Sequence, residues 1–284
     1  MRRVFAFCFI LLLVLSGCSG RGFDVSREID VITREEGSGT RGAFVELFGL
    51  LQKGEDGTRT DLVTKEAGVE NNTNTILTTV RGDESAIGYI SMGALDGKVK
   101  ALAIDGVAAT TENVVSGDYT VSRPFIVVTA ANPSALAEDF IAFILSRDGQ
   151  AIAAKSYIAV APQAPPYSGD APAGKLVVGG SSSVSPLMEK LIEAYEAANP
   201  NANVQLQTTD STMGVSKTIE GAYDVGMVSR DLKLTESGVL TDTVIALDGI
   251  ALIVSPENPV SELTREDIRR IYTGEAATWA EVTR

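Results

Sequence analysis

Apolar positions along this chain switch repeatedly between a period of two and a period near 3.6. Residues 29–33 (IDVIT) read as a strand, followed by a glycine-rich turn and a helix with Phe44, Leu47, Phe48 and Leu51 on one face. Residues 86–91 (AIGYIS) form a second strand after another helical stretch. Residues 123–129 (RPFIVVT) lead to a helix containing Phe140, Phe143 and Ile144. Residues 175–178 precede a helix with Leu187, Leu191, Ile192 and Tyr195 in register, and residues 251–254 read as the start of a late strand. Thr264-Arg265-Glu266-Asp267 has the form of a capping box, with Leu263 and Ile268 placed as its hydrophobic staple. Strands alternating with helices predict an α/β fold with parallel, doubly wound sheets. Residues 161–174 (APQAPPYSGDAPAG) break the rhythm and read either as a linker or as a long internal loop.

Composition narrows this picture. With 284 residues, 44% of them hydrophobic, the chain suits one large domain or two lobes of about a hundred residues each. Few aromatics (6%) beside abundant glycine fit short alternating elements better than a β-sandwich or a coiled coil. The formal net charge of −13 disfavours nucleic acid as a partner. An anion held by this chain is therefore held by local geometry against the global field, which salt screens over about 8 Å. Histidine is absent, which removes Ser-His-Asp and Cys-His catalysis and His-ligated zinc. The only cysteines are Cys8 and Cys18, so the rest of the chain forms neither a disulfide nor a thiolate site. No metal and no cofactor are expected.

The first residues read as an address. Arg2 and Arg3 precede an apolar run over residues 4–15 and then Ser16-Gly17-Cys18. The run is shorter than the roughly 20 residues that span a bilayer, and it has the layout of a secretory signal peptide over 1–17. The Leu-Ser-Gly-Cys ending resembles the bacterial lipobox, which implies lipidation of Cys18 and a tether over 18–27. An ordinary signal peptide with an incidental cysteine is the alternative. The expected location is the cell membrane, lipid-anchored, facing the extracellular or periplasmic side.

Three segments share one design of strand, hydroxyl-rich small-residue turn and helix. They are residues 34–40 (REEGSGT), 179–186 (GGSSSVSP) and 208–214 (TTDSTMG). A helix N-terminus offers unpaired N–H groups and about half a positive charge, and glycine lets a ligand approach the backbone. Converging, the three would cage a tetrahedral oxyanion, with Arg34 adding a charge-assisted contact. Taken singly, each turn is no more than a helix cap.

The segments also resemble a known family. Residues 32–44 (ITREEGSGTRGAF), 179–195 (GGSSSVSPLMEKLIEAY), 210–236 and 248–282 are similar to the signatures of phosphate-binding proteins of the phosphate-specific ABC transporter. So are residues 86–92 and 117–125. The resemblance covers nearly everything after residue 28. It implies a two-lobed periplasmic-binding-protein-like fold of type II, with a mixed, mostly parallel sheet in each lobe and a hinge of two crossover strands. The order differs from the family's usual one: residues 28–160 look like the second half and residues 175–284 like the first. The chain thus resembles a circular permutant joined through 161–174; a truncated tandem duplication is the rival explanation. The implied lobes are 28–124 plus 252–284, and 125–251.

Carried over by position, the family's phosphate contacts fall on Arg34, Ser38, Gly39, Thr40, Ser182, Ser183 and Ser211. Where the family has an acidic acceptor for the proton of hydrogen phosphate, this chain has Arg230. Asp210, beside Ser211, is the candidate substitute, with a plain helix cap as its alternative. The resemblance implies a monomeric, non-enzymatic lipoprotein that binds inorganic phosphate and delivers it to the membrane subunits of an ABC permease. Other readings are a clamp for sulfate, molybdate or arsenate, a sensor that has lost transport, and, least supported, a phosphoryl-transfer enzyme.

Overall fold

The computed structural model describes residues 22–54 and 59–283. Cys8, Cys18 and the signal segment lie outside the described residues. The backbone of the fold is a ten-stranded sheet among the described residues, whose continuous path has eight strands: β1 (Asp30–Arg34), β2 (Gly68–Glu70), β3 (Ala86–Ser91), β4 (Ser122–Thr129), β5 (Gly174–Ser181), β6 (Ala202–Thr209), β7 (Val225–Val228) and β8 (Thr241–Val254), with Lys100–Ala101 and Ile158–Ala159 pairing on β8. In space they run β6-β5-β7-β4-β8-β3-β1-β2. Pairing is parallel at both ends of this path (β6-β5-β7 and β3-β1-β2) and antiparallel in the middle, where β4 and β8 cross. The principal helices are α1 (Gly39–Leu47), α2 (Thr73–Gly82), α3 (Ala135–Leu145), α4 (Arg147–Ala153), α5 (Ser185–Ala198), α6 (Ser211–Ile219) and α7 (Arg265–Thr273).

Burial explains these choices. All six residues of β3 are buried, as expected of a short β-rich run covered on both faces. In α5 the sequence periodicity puts Leu187, Leu191, Ile192 and Tyr195 into the core, and Pro186 sits in the first turn, where its missing N–H costs nothing. At α7, Thr264 and Asp267 cap each other reciprocally, and Leu263 and Ile268 are both buried in one cluster. The segment over 161–173 has no regular structure. It is pinned nevertheless: Arg147 N–H donates to the Pro165 carbonyl and Tyr167 N–H to the Asp148 carboxylate.

Buried side chains fall into two groups. One gathers residues 29–121 and 250–282, with Phe44 stacked on Tyr89 at 3.9 Å and Trp279 fully enclosed. The other gathers residues 125–246 around Phe140, Tyr195 and Met227. β4 and β8 link the two groups. Arg123 and Asp248 sit opposite each other on these strands, both buried, with Arg123 Nη2 3.0 Å from Asp248 Oδ2. Ser91 Oγ also donates to Asp248, while Arg123 Nε and Nη1 have no partner among the described residues. Burial pushes the Asp248 carboxyl up and the Arg123 guanidinium down, each opposed by the charge of the other.

Two sequence expectations are corrected. Leu51 is not on α1: the helix stops at Leu47, Gly49 takes φ +63°, and Leu51 opens a short strand (Leu51–Lys53) paired with Arg59–Asp61. Residues 251–254 are the end of a strand, since β8 begins at Thr241. In its first half Thr241, Asp242, Val244 and Leu247 are exposed and only Ile245 and Ala246 are buried, so it lacks the continuous apolar run that marks its second half. Residues 23–28 lie against the carboxy-terminal stretch. Val25 O accepts from Ala280 N–H at 2.7 Å, and Phe23 lies edge-on to Trp279.

Candidate functional site

Four helices begin around one buried point. Ser38 caps α1, its Oγ accepting from Arg41 N–H, and Asp210 caps α6, its Oδ1 accepting from Met213 N–H. Asn72 caps α2 by accepting from Thr75 N–H, and α5 starts directly after the Ser181-Ser182-Ser183 turn. Each helix start leaves first-turn N–H groups without intrahelical acceptors.

Two of the three expected turns meet hydroxyl to hydroxyl. Thr40 Oγ1 is 2.7 Å from Ser183 Oγ, and Arg34 Nη2 donates to Ser182 Oγ at 3.1 Å. The third turn closes from the side: Thr212 N–H and Thr212 Oγ1 both donate to the Gly37 carbonyl at 3.2 Å. Gly39 shows how tight the approach is. A Cβ there would lie 2.3 Å from Ser211 Oγ and 2.6 Å from Ser229 Oγ. Arg34, Ser38, Thr40, Ser182, Ser183 and Ser211 are all buried, and Arg34 is only 3% exposed.

The charge at this point is arranged as well. Arg34 Nε and Nη2 hold the Glu35 carboxylate at 2.8 Å each, which leaves Arg34 both paired and aimed at Ser182. Behind it, Tyr89 Oη accepts from Arg34 N–H and hydrogen-bonds Thr33 Oγ1, fixing the end of β1. Burial pushes the Tyr89 phenol up, so it stays neutral. Arg230 lies away from the hydroxyls, gripped by Glu236 through Nη1 at 2.7 Å and Nη2 at 2.9 Å. Burial opposes ionisation of Glu236, but the hydrogen bonds and charge of Arg230 and the Lys233 amide hold its carboxyl below the usual range. Asp210 packs over Gly37, whose added Cβ would lie 2.5 Å from Asp210 Oδ1.

Three further hydroxyls belong to the cluster. Ser181 Oγ donates to Ser229 Oγ at 2.9 Å, and Ser229 N–H donates to Ser211 Oγ at 3.1 Å, forming a floor. Thr73 Oγ1 approaches Ser183 and Ser182 Oγ at 3.4 and 3.5 Å. The Asn72-Thr73 pair before a helical run is a cap signature that would have pointed to Thr73; a lone serine at the end of a strand gives no such signal for Ser229. An open cleft of about 1170 Å³, lined by Asn71, Asn72, Thr208 and Asp210 among others, leads to Thr73 and Ser182. What these groups can do together is donate several hydrogen bonds and one positive charge to a small oxyanion in a water-poor setting.

Known proteins fit this geometry. A family model described as a PBP superfamily domain matches residues 22–148 and 165–284. The phosphate-binding protein PstS 2 of Streptococcus agalactiae serotype V is 44% identical over 274 residues, which cover 95% of this chain and 94% of that one. The phosphate-binding protein PstS of Bacillus subtilis is 30% identical over 112 residues, only 38% of this chain and 37% of that one. The crystal structure of a phosphate-binding protein of a phosphate ABC transporter from Streptococcus pneumoniae TIGR4 superposes with a TM-score of 0.72 at 42% identity, covering 90% of this chain and all of that one. A cage of helix starts around one arginine, in a fold shared along almost its whole length with such proteins, places this chain in the PBP superfamily and, within it, in the PstS family of phosphate-binding proteins.

Proposed function

We propose that this chain binds inorganic phosphate between the 125–251 lobe and the lobe built from 28–124 plus 252–284, and hands it to an ABC permease. The observation that carries this reading is the buried cluster in which Arg34 and Thr40 meet Ser182 and Ser183 across the two packing groups. Arg34 supplies charge; the hydroxyls of Ser38, Thr40, Ser182, Ser183 and Ser211 and the backbone amides of Gly39 and Ser183 supply donors. The open cleft over Thr73 and Ser182 offers an ion a way in, and parting and closing the lobes around the ion is the hinge motion of such binders. β4 and β8 form that hinge. The protein is a binding module rather than an enzyme, and it works at the outer face of a membrane, lipidated at Cys18. Among the described residues no helix is long and apolar enough to cross a membrane.

The order of segments supports a circular permutation that this chain shares with its streptococcal relative: the match to that protein runs along nearly both chains, whereas the Bacillus subtilis protein matches over little more than a third. The proposed join over 161–174 overlaps the gap, residues 149–164, between the two blocks matched by the family model.

Calorimetric titration of the described portion with phosphate, sulfate and molybdate tests the function. Saturable one-to-one binding of phosphate, in preference to sulfate, is expected; absence of heat with every oxyanion overturns the reading. A clamp for another oxyanion is the second reading, favoured by Arg230 standing where the resembled family pattern has an acidic acceptor. Tighter binding of sulfate or molybdate than of phosphate would establish it.

A further inference from the structure

We infer that Thr73 is a fourth arm of the cage and that α2 takes part in ligand binding alongside α1, α5 and α6. The inference rests on the phosphate reading above and extends it to a residue outside the three turns that carry that reading.

Its position is unusual for the segment it belongs to. Asn71 and Asn72 line the open cleft, yet Thr73 between Asn72 and Asn74 is only 4% exposed. Its hydroxyl turns inward to the same two serines that Arg34 and Thr40 reach. Three side chains from one lobe therefore converge on Ser182 and Ser183 of the other. The Thr73 distances of 3.4 and 3.5 Å are long for hydroxyl pairs, whose usual separation is about 2.7–2.8 Å. A group held at that spacing is poorly served by either serine, and an oxygen set between them can accept from Thr73 and from a serine at normal lengths. Asn72 already caps α2 through Thr75 N–H, so the Thr73 hydroxyl is not consumed in capping. Thr73 is also the first residue of α2, where the helix dipole favours negative charge.

The expected effect follows from the worth of one neutral donor to a charged acceptor, which corresponds to about ten- to a hundredfold in affinity. The test is calorimetric titration with inorganic phosphate of wild type, Thr73→Val, Thr73→Ala and Thr73→Ser, with thermal unfolding of each without phosphate as the control. Thr73→Val and Thr73→Ala should each bind about ten- to a hundredfold more weakly, and Thr73→Ser should stay within about threefold of wild type. Unfolding midpoints without phosphate should stay together; if valine disturbs folding, alanine carries the comparison. Wild-type affinity in the valine or alanine variant overturns the inference. So does a serine variant as weak as they are, because a retained hydroxyl then fails to preserve binding. Failure of the wild type itself to bind phosphate would instead remove the underlying reading.

Discussion

Replacing Gly39 by alanine tests lobe closure most directly. The position tolerates a side chain on backbone grounds: its φ is not in the left-handed region, and it opens α1, where alanine is the better helix former by up to about 1 kcal/mol. The obstacle lies wholly across the cleft. The new methyl would sit 2.3 Å from Ser211 Oγ and 2.6 Å from Ser229 Oγ, so both must retreat by roughly an ångström to reach ordinary contact. Neither has room, since both are fully buried and Ser229 N–H is bonded to Ser211 Oγ. Overpacking of this kind costs about 1–3 kcal/mol. The cost arises only when the lobes are closed, so it appears in the dissociation constant as about a five- to 150-fold weakening. Calorimetric titration with phosphate reads it, and thermal unfolding without phosphate should show a midpoint equal to or above that of wild type. An alanine variant that binds within about twofold of wild type would refute the closure geometry. A loss of unfolding midpoint that accounts for the weakened binding would refute the claim that the clash is specific to the closed form.

Other perturbations probe separate parts of the structure. Asp210→Asn keeps a good helix cap, so stability should hold while the phosphate-to-sulfate preference, read by competitive titration, falls by about tenfold or more; an unchanged preference leaves Asp210 as a cap alone. Asp248→Asn leaves the Arg123 guanidinium buried without its counter-charge and should cost about 3–5 kcal/mol in denaturant unfolding, with Arg123→Met/Asp248→Leu recovering part of the loss; a cost below about 1 kcal/mol would show that the pair is not buried in solution. Glu236 has its folded-state pKa held below the unfolded value, so the stability it lends is complete at neutral pH and is lost as pH falls below about 4.5 and through the folded pKa. Glu236→Gln should therefore be less stable than wild type at pH 7, with the gap closing on acidification; a gap independent of pH would rule out the Arg230 pair as its source.

The strands and helices with a strong period were legible in the sequence because burial there is continuous or strictly periodic, as in β3 and α5. The antiparallel centre was harder to read. β8 crosses from one packing group to the other, and its first half mixes Thr241, Asp242 and Thr243 with apolar residues, so hydropathy shows only its far end. Arg34, Thr40, Ser182 and Ser183 could be singled out because glycine-rich, hydroxyl-rich turns before helices are uncommon in combination, and the structure brings them together. Ser229 is different. It is a single serine after an apolar strand, and nothing local distinguishes it from a strand end; only tertiary packing brings it to Ser181 and Ser211. Asp210 shows the limit of residue-type reasoning, since the same side chain serves as a helix cap and faces the opposing Gly37.

The stitching of the amino-terminal stretch to the carboxy-terminal one, through the Glu28–Thr278 bridge and the Phe23–Trp279 contact, fixes a frame of reference for the whole molecule. Whatever grips residue 22 grips the arginine-bearing side, because that stretch is fastened there and nowhere else along its path among the described residues. The serine-bearing side is joined to it through the two strands β4 and β8. With the proposed anchor at Cys18 held in a membrane, ligand capture would be the swing of a distal jaw toward a stationary one.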